Sequence, residues 1–274
     1  MGARRAPLVG AQRGAQARRN PDRGAEYLLY QTLVGAWPLP ADRAVAYMEK
    51  AAKEAKEHTS WIDPAATYDG ALTAFVEAVV TDERFAADLA SFVAPLIEPG
   101  RVNALAQWLL TLTSPGCPDT YQGTELWDLS LVDPDNRRPV DYDARQRLLA
   151  KVGAASADDV LAWADDGAPK LWLTARALAV RRSHSSAFGP GSSYQPLGVE
   201  GKKAAHAVAF ARGQEVAVVA PRLVLGLAGT WGDTAVTLPP GRWTDVLGGA
   251  EVEGGGVDLA SLLVRFPVAL LVAG

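Results

Sequence analysis

The sequence predicts an α+β fold in which a helical part precedes a part built of antiparallel strands. Hydrophobic residues recur at three- and four-residue steps through residues 41–182, whereas short β-prone runs alternate with turn residues beyond Ser183. The chain has 274 residues, of which 49% are hydrophobic and 21% charged, so it can bury at least one sizeable core. We therefore expect a globular protein that divides into two parts.

A series of amphipathic patterns fills the first part. We predict helices over residues 41–58, around residues 68–79, over residues 82–97 and around residues 102–112. Pro99-Gly100 is expected to end the third of these, and Ser114-Pro115-Gly116 the fourth. The apolar positions that define the stripes are Val45, Met48, Ala52, Ala55, Tyr68, Leu72, Phe75, Val76, Val79, Phe85, Leu89, Phe92, Val93, Leu96, Val102, Leu105, Trp108, Leu109 and Leu112.

The segment CPDTYQG at 117–123 is predicted to be a strand that leads into a loop. Further helices are expected around residues 144–152, 160–164 and 170–182. From residue 205 onward, β-prone runs follow one another at the spacing of a small antiparallel sandwich. Arg212-Gly213-Gln214 separates two of these runs and predicts a hairpin.

Charge and cysteine content exclude several classes of function. The formal net charge is −4, which makes nucleic acid a poor partner because phosphate backbones are bound by clustered Lys and Arg. One cysteine, Cys117, excludes an intrachain disulfide and fits a cytoplasmic protein. No apolar run approaches the roughly 20 residues that cross a bilayer, so no membrane span is expected. Residues 1–25 are Arg-rich and unpatterned, and we expect a disordered or miscalled start.

A polar loop at 133–141 is the first candidate for a binding site. Its three carboxylates, one amide and two guanidiniums can hydrogen-bond sugar hydroxyls from a loop that two prolines stiffen. An internally salt-bridged surface loop has the same composition, because turns are ordinarily rich in Asp, Asn and Pro. The candidate residues are Asp133, Asp135, Asn136, Arg137 and Arg138.

A second candidate group follows the predicted strand at 117–123. Tyr121, Gln122 and Glu125 lie where that strand would give way to a loop. Trp61 and Trp127 are candidates for stacking on sugar rings, whereas Trp108 lies on an apolar helix face and is expected in the core. The three histidines are too scattered for a metal site, and we expect neither a metal nor a cofactor.

Three stretches taken together resemble the C-terminal third of malto-oligosyltrehalose synthases, a family of the α-amylase superfamily. They are EYLLYQTLVGAWP, KAAKEAKEHTSW and LTSPGCPDTYQGTELWDLSLVDPDNRRPVDY. The resemblance is close from Glu26 to Leu149 and looser beyond. PGCPDTYQGTE alone is similar to the last barrel strand of the whole superfamily, whereas DPDNRRPVD and EAKEHTSW are much more specific.

The resemblance implies a helical insertion and the last strand and helix of an incomplete (β/α)8 barrel at 26–183, followed by a β-sandwich at 184–274. It implies an enzyme that converts the reducing-end α-1,4 bond of a malto-oligosaccharide into an α,α-1,1 bond by intramolecular transglucosylation. Asp133, Asp135, Asn136, Arg137 and Arg138 would then lie near the acceptor, and Tyr121, Gln122 and Glu125 would shape the barrel mouth.

The catalytic carboxylates of such an enzyme come from earlier barrel strands, and nothing before Glu26 resembles those strands. No catalytic residue is therefore assigned, and the chain is expected to be inactive without an N-terminal barrel portion. A non-catalytic α-glucan-binding or interaction module, or another enzyme of the α-amylase superfamily, remains the alternative.

Overall fold

The computed structural model describes residues 21–274, which form two compact units. The first unit holds residues up to Ile97 together with Leu129–Pro139, and the second holds Glu98–Asp128 and Val140–Gly274. Of the predicted N-terminal segment 1–25, residues 1–20 lie outside the described part of the chain. The compact units do not follow the expected boundary at residue 184, because helices from 140 onward cluster with the strands.

Helices α1 (Arg23–Ala36), α2 (Ala41–Ala55) and α3 (Ala66–Thr81) form the first unit with the beginning of α4 (Glu83–Thr113). Asp22 caps α1, since its Oδ1 accepts from the backbone N–H of Gly24 at 2.7 Å and of Ala25 at 3.1 Å. The α3 residues predicted to face inward are all buried. The core of this unit comprises Leu29, Leu33, Ala36, Leu39, Ala44, Met48, Tyr68, Leu72, Phe75, Val76, Val79, Phe85, Leu89 and Val93.

One predicted boundary is wrong, because α4 continues through Pro99-Gly100 as a single helix of 31 residues. Pro99 has no backbone N–H, so the helical hydrogen bond that would reach the carbonyl of Pro95, four residues earlier, is missing. The apolar stripes on either side of Pro99 bury Val93 and Leu105, so packing on both sides outweighs the local cost of the two prolines.

The C-terminus of α4 lies in the second unit and is held by two arginines. Arg181 donates to the carbonyl of Leu112 at 2.7 Å, and Arg212 donates to that of Thr113 at 2.9 Å. Both guanidiniums also lie over the ring of Phe188, at 4.8 Å and 5.4 Å from its centroid. These bonds satisfy helix-terminal carbonyls and fix the point from which residues 114–128 depart.

Of the remaining helices, the first three confirm predicted segments, and the three short helices after them were not predicted. The first three are α5 (Tyr142–Gly153), α6 (Ala157–Ala162) and α7 (Ala168–Ser183), followed by the short helices α8 (Ser185–Phe188), α9 (Val224–Leu227) and α10 (Leu259–Leu262). No helix among residues 21–274 is long and apolar enough to cross a membrane.

Seven antiparallel strands form one continuous curled sheet, which gives the predicted α+β class. The strands are β1 (Tyr194–Pro196), β2 (Val199–Glu200), β3 (Ala207–Arg212), β4 (Val216–Pro221), β5 (Ala235–Asp245), β6 (Glu251–Asp258) and β7 (Ala269–Ala273). Their order is β1-β3-β4-β7-β5-β2, with β6 pairing β5. The predicted hairpin at Arg212-Gly213-Gln214 joins β3 to β4, with Arg212 opposite Val216.

The central strands of the sheet are buried on both faces, and every residue of β4 is buried, whereas β1 and most of β6 are exposed or half-buried. Phe210, Val216 and Val218 face a core that α7 and the end of α4 share. Ala217, Val219 and Leu271 face a second core that Trp243, Leu259 and Leu262 complete. Alternate side chains thus serve two cores, which is why the strands read as nearly continuous apolar runs.

The prediction of a strand at residues 117–123 is wrong. Residues 114–128 contain no helix or strand, only bends and a turn at 122–125. A barrel strand needs paired strands on both sides, and none of the seven described strands pairs with this segment.

Candidate functional site

The loop 129–139 is held in the first unit by an ion pair between Asp135 and Arg43 of α2. Arg43 Nε lies 2.8 Å from Asp135 Oδ1, and Arg43 Nη2 lies 2.7 Å from Oδ2. The same Nη2 donates to the carbonyl of Leu129 at 3.0 Å, and the N–H of Leu131 donates to Asp135 Oδ2 at 2.7 Å. Asp135 therefore anchors the loop with both of its oxygens.

The Arg43 guanidinium and its hydrogen bonds hold the pKa of Asp135 below its ordinary value of 3.8 against the opposing effect of burial. Arg138 adds a further cation, with Nε 3.3 Å from Asp135 Oδ1, and donates to Ser130 Oγ at 3.3 Å. Residues on both sides of Asp135 are thus held in place: Leu131 and Arg138 contact Asp135 itself, and Leu129 contacts its partner Arg43.

The other predicted residues of the loop are more open. Asp133 pairs with Arg137, and Lys50 of α2 donates to the Asp133 carbonyl. The Arg137 side chain is 68% exposed and that of Arg138 is 52% exposed. Asn136 is half-buried, and its Oδ1 accepts from no group among the described residues. The loop therefore presents two guanidiniums outward from a fixed backbone, which is chemistry suited to hydroxyl or carboxylate ligands.

Tyr121, Gln122 and Glu125 belong to the second unit, where Arg145 of α5 holds their segment. Arg145 pairs with Glu125, donates to the carbonyl of Gly123 at 3.0 Å, and donates to that of Asp141 at 3.1 Å. Gly123 has a φ of 83°, and a Cβ there would lie 3.1 Å from Arg145 Nη2. The Tyr121 side chain is 46% exposed, so it stays accessible beside this fixed turn.

Lys170, at the start of α7, is a buried cation near the same segment. Its ammonium lies 5.0 Å from the centroid of the Trp108 ring. Burial lowers its pKa, and the charges of Asp128 and Glu125 oppose that shift. The positive charge of Lys170 therefore interacts favourably with the carboxylates of Glu125 and Asp128.

Trp108 and Trp127 are both half-buried and packed on the core of the second unit, as expected for Trp108. Trp108 Nε1 donates to Thr174 Oγ1 at 2.7 Å, and Trp127 Nε1 donates to the carbonyl of Ala164 at 2.5 Å. Both indoles are thus fixed by their polar edges. Trp61, in the first unit, is 60% exposed.

Sequence reasoning placed five candidate residues on the loop of the first unit and three on a segment of the second. It missed Arg43, Lys50, Arg145 and Lys170. Arg43 and Lys50 lie seven residues apart on α2 and hence on one helix face, which is a weak signal that was available. Across residues 21–274, no cluster of three or more His, Cys, Asp or Glu side chains has the arrangement of a metal site.

No protein-family model matches the chain. The putative maltooligosyl trehalose synthases of two Mycobacterium tuberculosis strains, CDC 1551 and H37Rv, are 38% identical to it over 260 residues, which is 92% of this chain and 32% of each relative. The chain therefore spans about a third of the length of these curated relatives.

Solved structures agree with the sequence comparison. The maltooligosyltrehalose synthase of Arthrobacter ramosus is 41% identical and superposes with a TM-score of 0.81, over 91% of this chain and 32% of its own. A hypothetical maltooligosyl trehalose synthase of Sulfolobus tokodaii is 29% identical with a TM-score of 0.73, over 97% of this chain and 34% of its own.

Proposed function

Because the chain belongs to the maltooligosyl trehalose synthase family, matching the C-terminal part of its members, we propose that it is the substrate-contacting part of an enzyme that rearranges malto-oligosaccharides. The observation that carries this proposal is the loop 129–139, whose backbone is fixed by Asp135 and Arg43 while the paired side chains of Arg137 and Arg138 are exposed to solvent. Preorganised donors on a fixed loop lower the ordering cost of binding a flexible oligosaccharide.

The reaction proposed for the assembled enzyme moves one glucosyl bond within one molecule. The bond from the penultimate sugar to O4 of the reducing-end glucose breaks, and a new bond forms to the anomeric oxygen of that same glucose. No water is consumed, and the product has no reducing end. Arg137 and Arg138 would hold the hydroxyls of the acceptor glucose while it turns. Separately, Tyr121, Gln122 and Glu125 are proposed to shape the mouth of the barrel.

We assign no catalytic carboxylate to this chain. This chain matches only about a third of each relative. We therefore propose that the nucleophile and the acid/base lie in a partner portion that corresponds to the other two-thirds and carries the (β/α)8 barrel strands. A cytoplasmic site of action is proposed from the single, unpaired Cys117. Binding of an α-glucan without any contribution to turnover would favour the alternative of a non-catalytic module.

Calorimetric titration of the purified chain with maltopentaose tests the substrate proposal, with the β-linked cellopentaose as the ligand control. We expect saturable binding of maltopentaose and none of cellopentaose. Arg137→Ala should weaken maltopentaose binding about tenfold through the loss of a charged donor. Arg147→Ala removes an exposed arginine of the second unit and serves as the matched control, with unchanged affinity. Equal affinity in the two variants would contradict the role of the loop.

A further inference from the structure

The turn between α2 and α3 is fixed by its own side chains. Thr59 is buried, and its Oγ1 accepts from the N–H of Ala65 at 3.0 Å. Ser60 and Asp63 close a tighter turn through two bonds, Ser60 N–H to the Asp63 carbonyl at 3.1 Å and Asp63 N–H to Ser60 Oγ at 2.9 Å. The residues between them, Trp61 and Ile62, are therefore carried on an ordered backbone.

A second contact secures the beginning of the same turn. The ring of His58 packs on that of Tyr68, with centroids 4.9 Å apart, and His58 Nε2 lies 3.5 Å from Asp22 Oδ2. Tyr68 donates its hydroxyl to the same Asp22 oxygen at 2.8 Å. The beginning of the turn is thus held against the N-terminus of α1 and against α3. Its exposed tip is therefore part of a turn with defined contacts.

Trp61 lies at this tip with one ring face open. All eight tryptophans of the chain fall within the described residues, and Trp61 is the one that is exposed, at 60%. The ammonium of Lys53 lies 4.8 Å from the centroid of its ring and so covers one face. With 60% of the residue exposed, much of the indole is accessible to solvent beside Lys53.

Helix α2 connects this indole to the loop 129–139 within the first unit. Arg43 and Lys50 of α2 contact the loop, and Lys53, three residues beyond Lys50, contacts Trp61. Residues three apart on a helix are neighbours on one face, separated by about 4.5 Å of rise. A single face of α2 therefore carries the loop at one end and the Trp61 ring at the other.

We propose that Trp61 and Lys53 form a second α-glucan contact, in which the open face of the indole stacks against a glucose ring and Lys53 donates to its hydroxyls. This inference rests on the proposed function and extends the sugar-binding surface from the loop 129–139 to the α2–α3 turn. A pyranose has one face rich in C–H groups and a rim of hydroxyls, so it matches an aromatic face bordered by a charged donor. The ligand is a malto-oligosaccharide long enough to reach both contacts.

Maltopentaose titrations of three variants test the contact. Trp61→Ala should weaken binding about tenfold, which corresponds to about 1.4 kcal/mol of lost apolar contact. Trp61→Phe keeps an aromatic face and should retain most of the affinity. Ile62→Ala removes the neighbouring side chain, which is 98% exposed, and should leave affinity unchanged. Each residue is a surface residue, and circular dichroism of the variants checks that the fold is retained.

Oxidation by N-bromosuccinimide gives a readout at the indole itself. We expect maltopentaose to protect Trp61 in proportion to occupancy, as measured by the mass of the peptide that contains it, and cellopentaose to give no protection. Unaltered affinity of Trp61→Ala, or full oxidation of Trp61 at saturating maltopentaose, would overturn this contact and leave the proposed function standing. Absence of maltopentaose binding to the unaltered chain would overturn both.

Discussion

Substitution of Asp135 by Asn should release the loop 129–139 while the rest of the first unit stays folded. The wild-type carboxylate accepts two bonds from Arg43 and one from the Leu131 N–H, and the two paired side chains are only 16% and 14% exposed. Asn keeps the shape and one acceptor oxygen but loses the charge. Loss of a partly buried charge pair of this kind costs about 3 kcal/mol, at the lower end of the range for buried pairs.

Hydrogen exchange of peptides that cover residues 129–139 measures this cost as a local opening free energy. A loss of about 3 kcal/mol raises their exchange rate by about a hundredfold, since each 1.4 kcal/mol is a factor of ten. Arg137→Gln is the control, because the Asp133–Arg137 pair is exposed and such pairs contribute only about 0–1 kcal/mol. Equal exchange of the loop in Asp135→Asn and the unaltered chain would refute the anchoring role of Asp135.

Two further predictions concern the second unit and pH. Burial raises the pKa of Asp245 to about 6 from 3.8, against three backbone N–H bonds that favour its charge. Between pH 4 and 6 the native state holds a proton on Asp245 that the unfolded state has released. The free energy of unfolding should therefore fall by about 3 kcal/mol as pH rises from 4 to 6, and it should stay constant at higher pH. In urea titrations at several pH values, Asp245→Asn should lack this pH dependence. Gly123→Ala should destabilise by about 1–2 kcal/mol because of its φ of 83° and the nearby Arg145. Gly100→Ala, in open space on α4, should be neutral or stabilising in the same assay, and equal effects would contradict the conformational argument.

Amphipathic periodicity was sufficient to predict α2, α3, α5, α6 and α7, but not α1 or the short helices α8 to α10. In α3 the five residues predicted to face inward are the five that are buried, because the three- and four-residue steps place them on one face. The hairpin at Arg212-Gly213-Gln214 was also predictable, since a glycine with positive φ separates two apolar runs. In both cases the information is local.

The two failures both involve tertiary context. Pro99-Gly100 is a strong local signal for a helix end, yet α4 passes through it because apolar residues on both sides are buried in packed cores. CPDTYQG was predicted as a strand, but a strand exists only where a neighbouring strand pairs with it, and none of the described strands does.

The candidate residues were predictable as a set, but their individual roles were not. Asp135 and Arg137 have similar local surroundings in the sequence. The structure separates them, because Asp135 is turned onto Arg43, 92 residues away in the chain, whereas Arg137 pairs with a neighbour at the surface. Contacts of such sequence separation leave no periodic pattern, so Arg43 was missed. Recognition of Arg137 and Arg138 as the exposed cations of the loop requires the fold.

Conversion of maltopentaose is the most direct test of the proposed function. The chain would be assayed alone and after coexpression with the portion of the Arthrobacter ramosus enzyme that precedes the matching third, for loss of reducing ends without release of glucose. We predict no loss with the chain alone, and a loss with the pair that falls at least tenfold when this chain carries Arg137→Ala. Turnover by the chain alone would contradict the assignment of the catalytic carboxylates to the partner portion, and an inactive pair that still binds maltopentaose would identify a non-catalytic module.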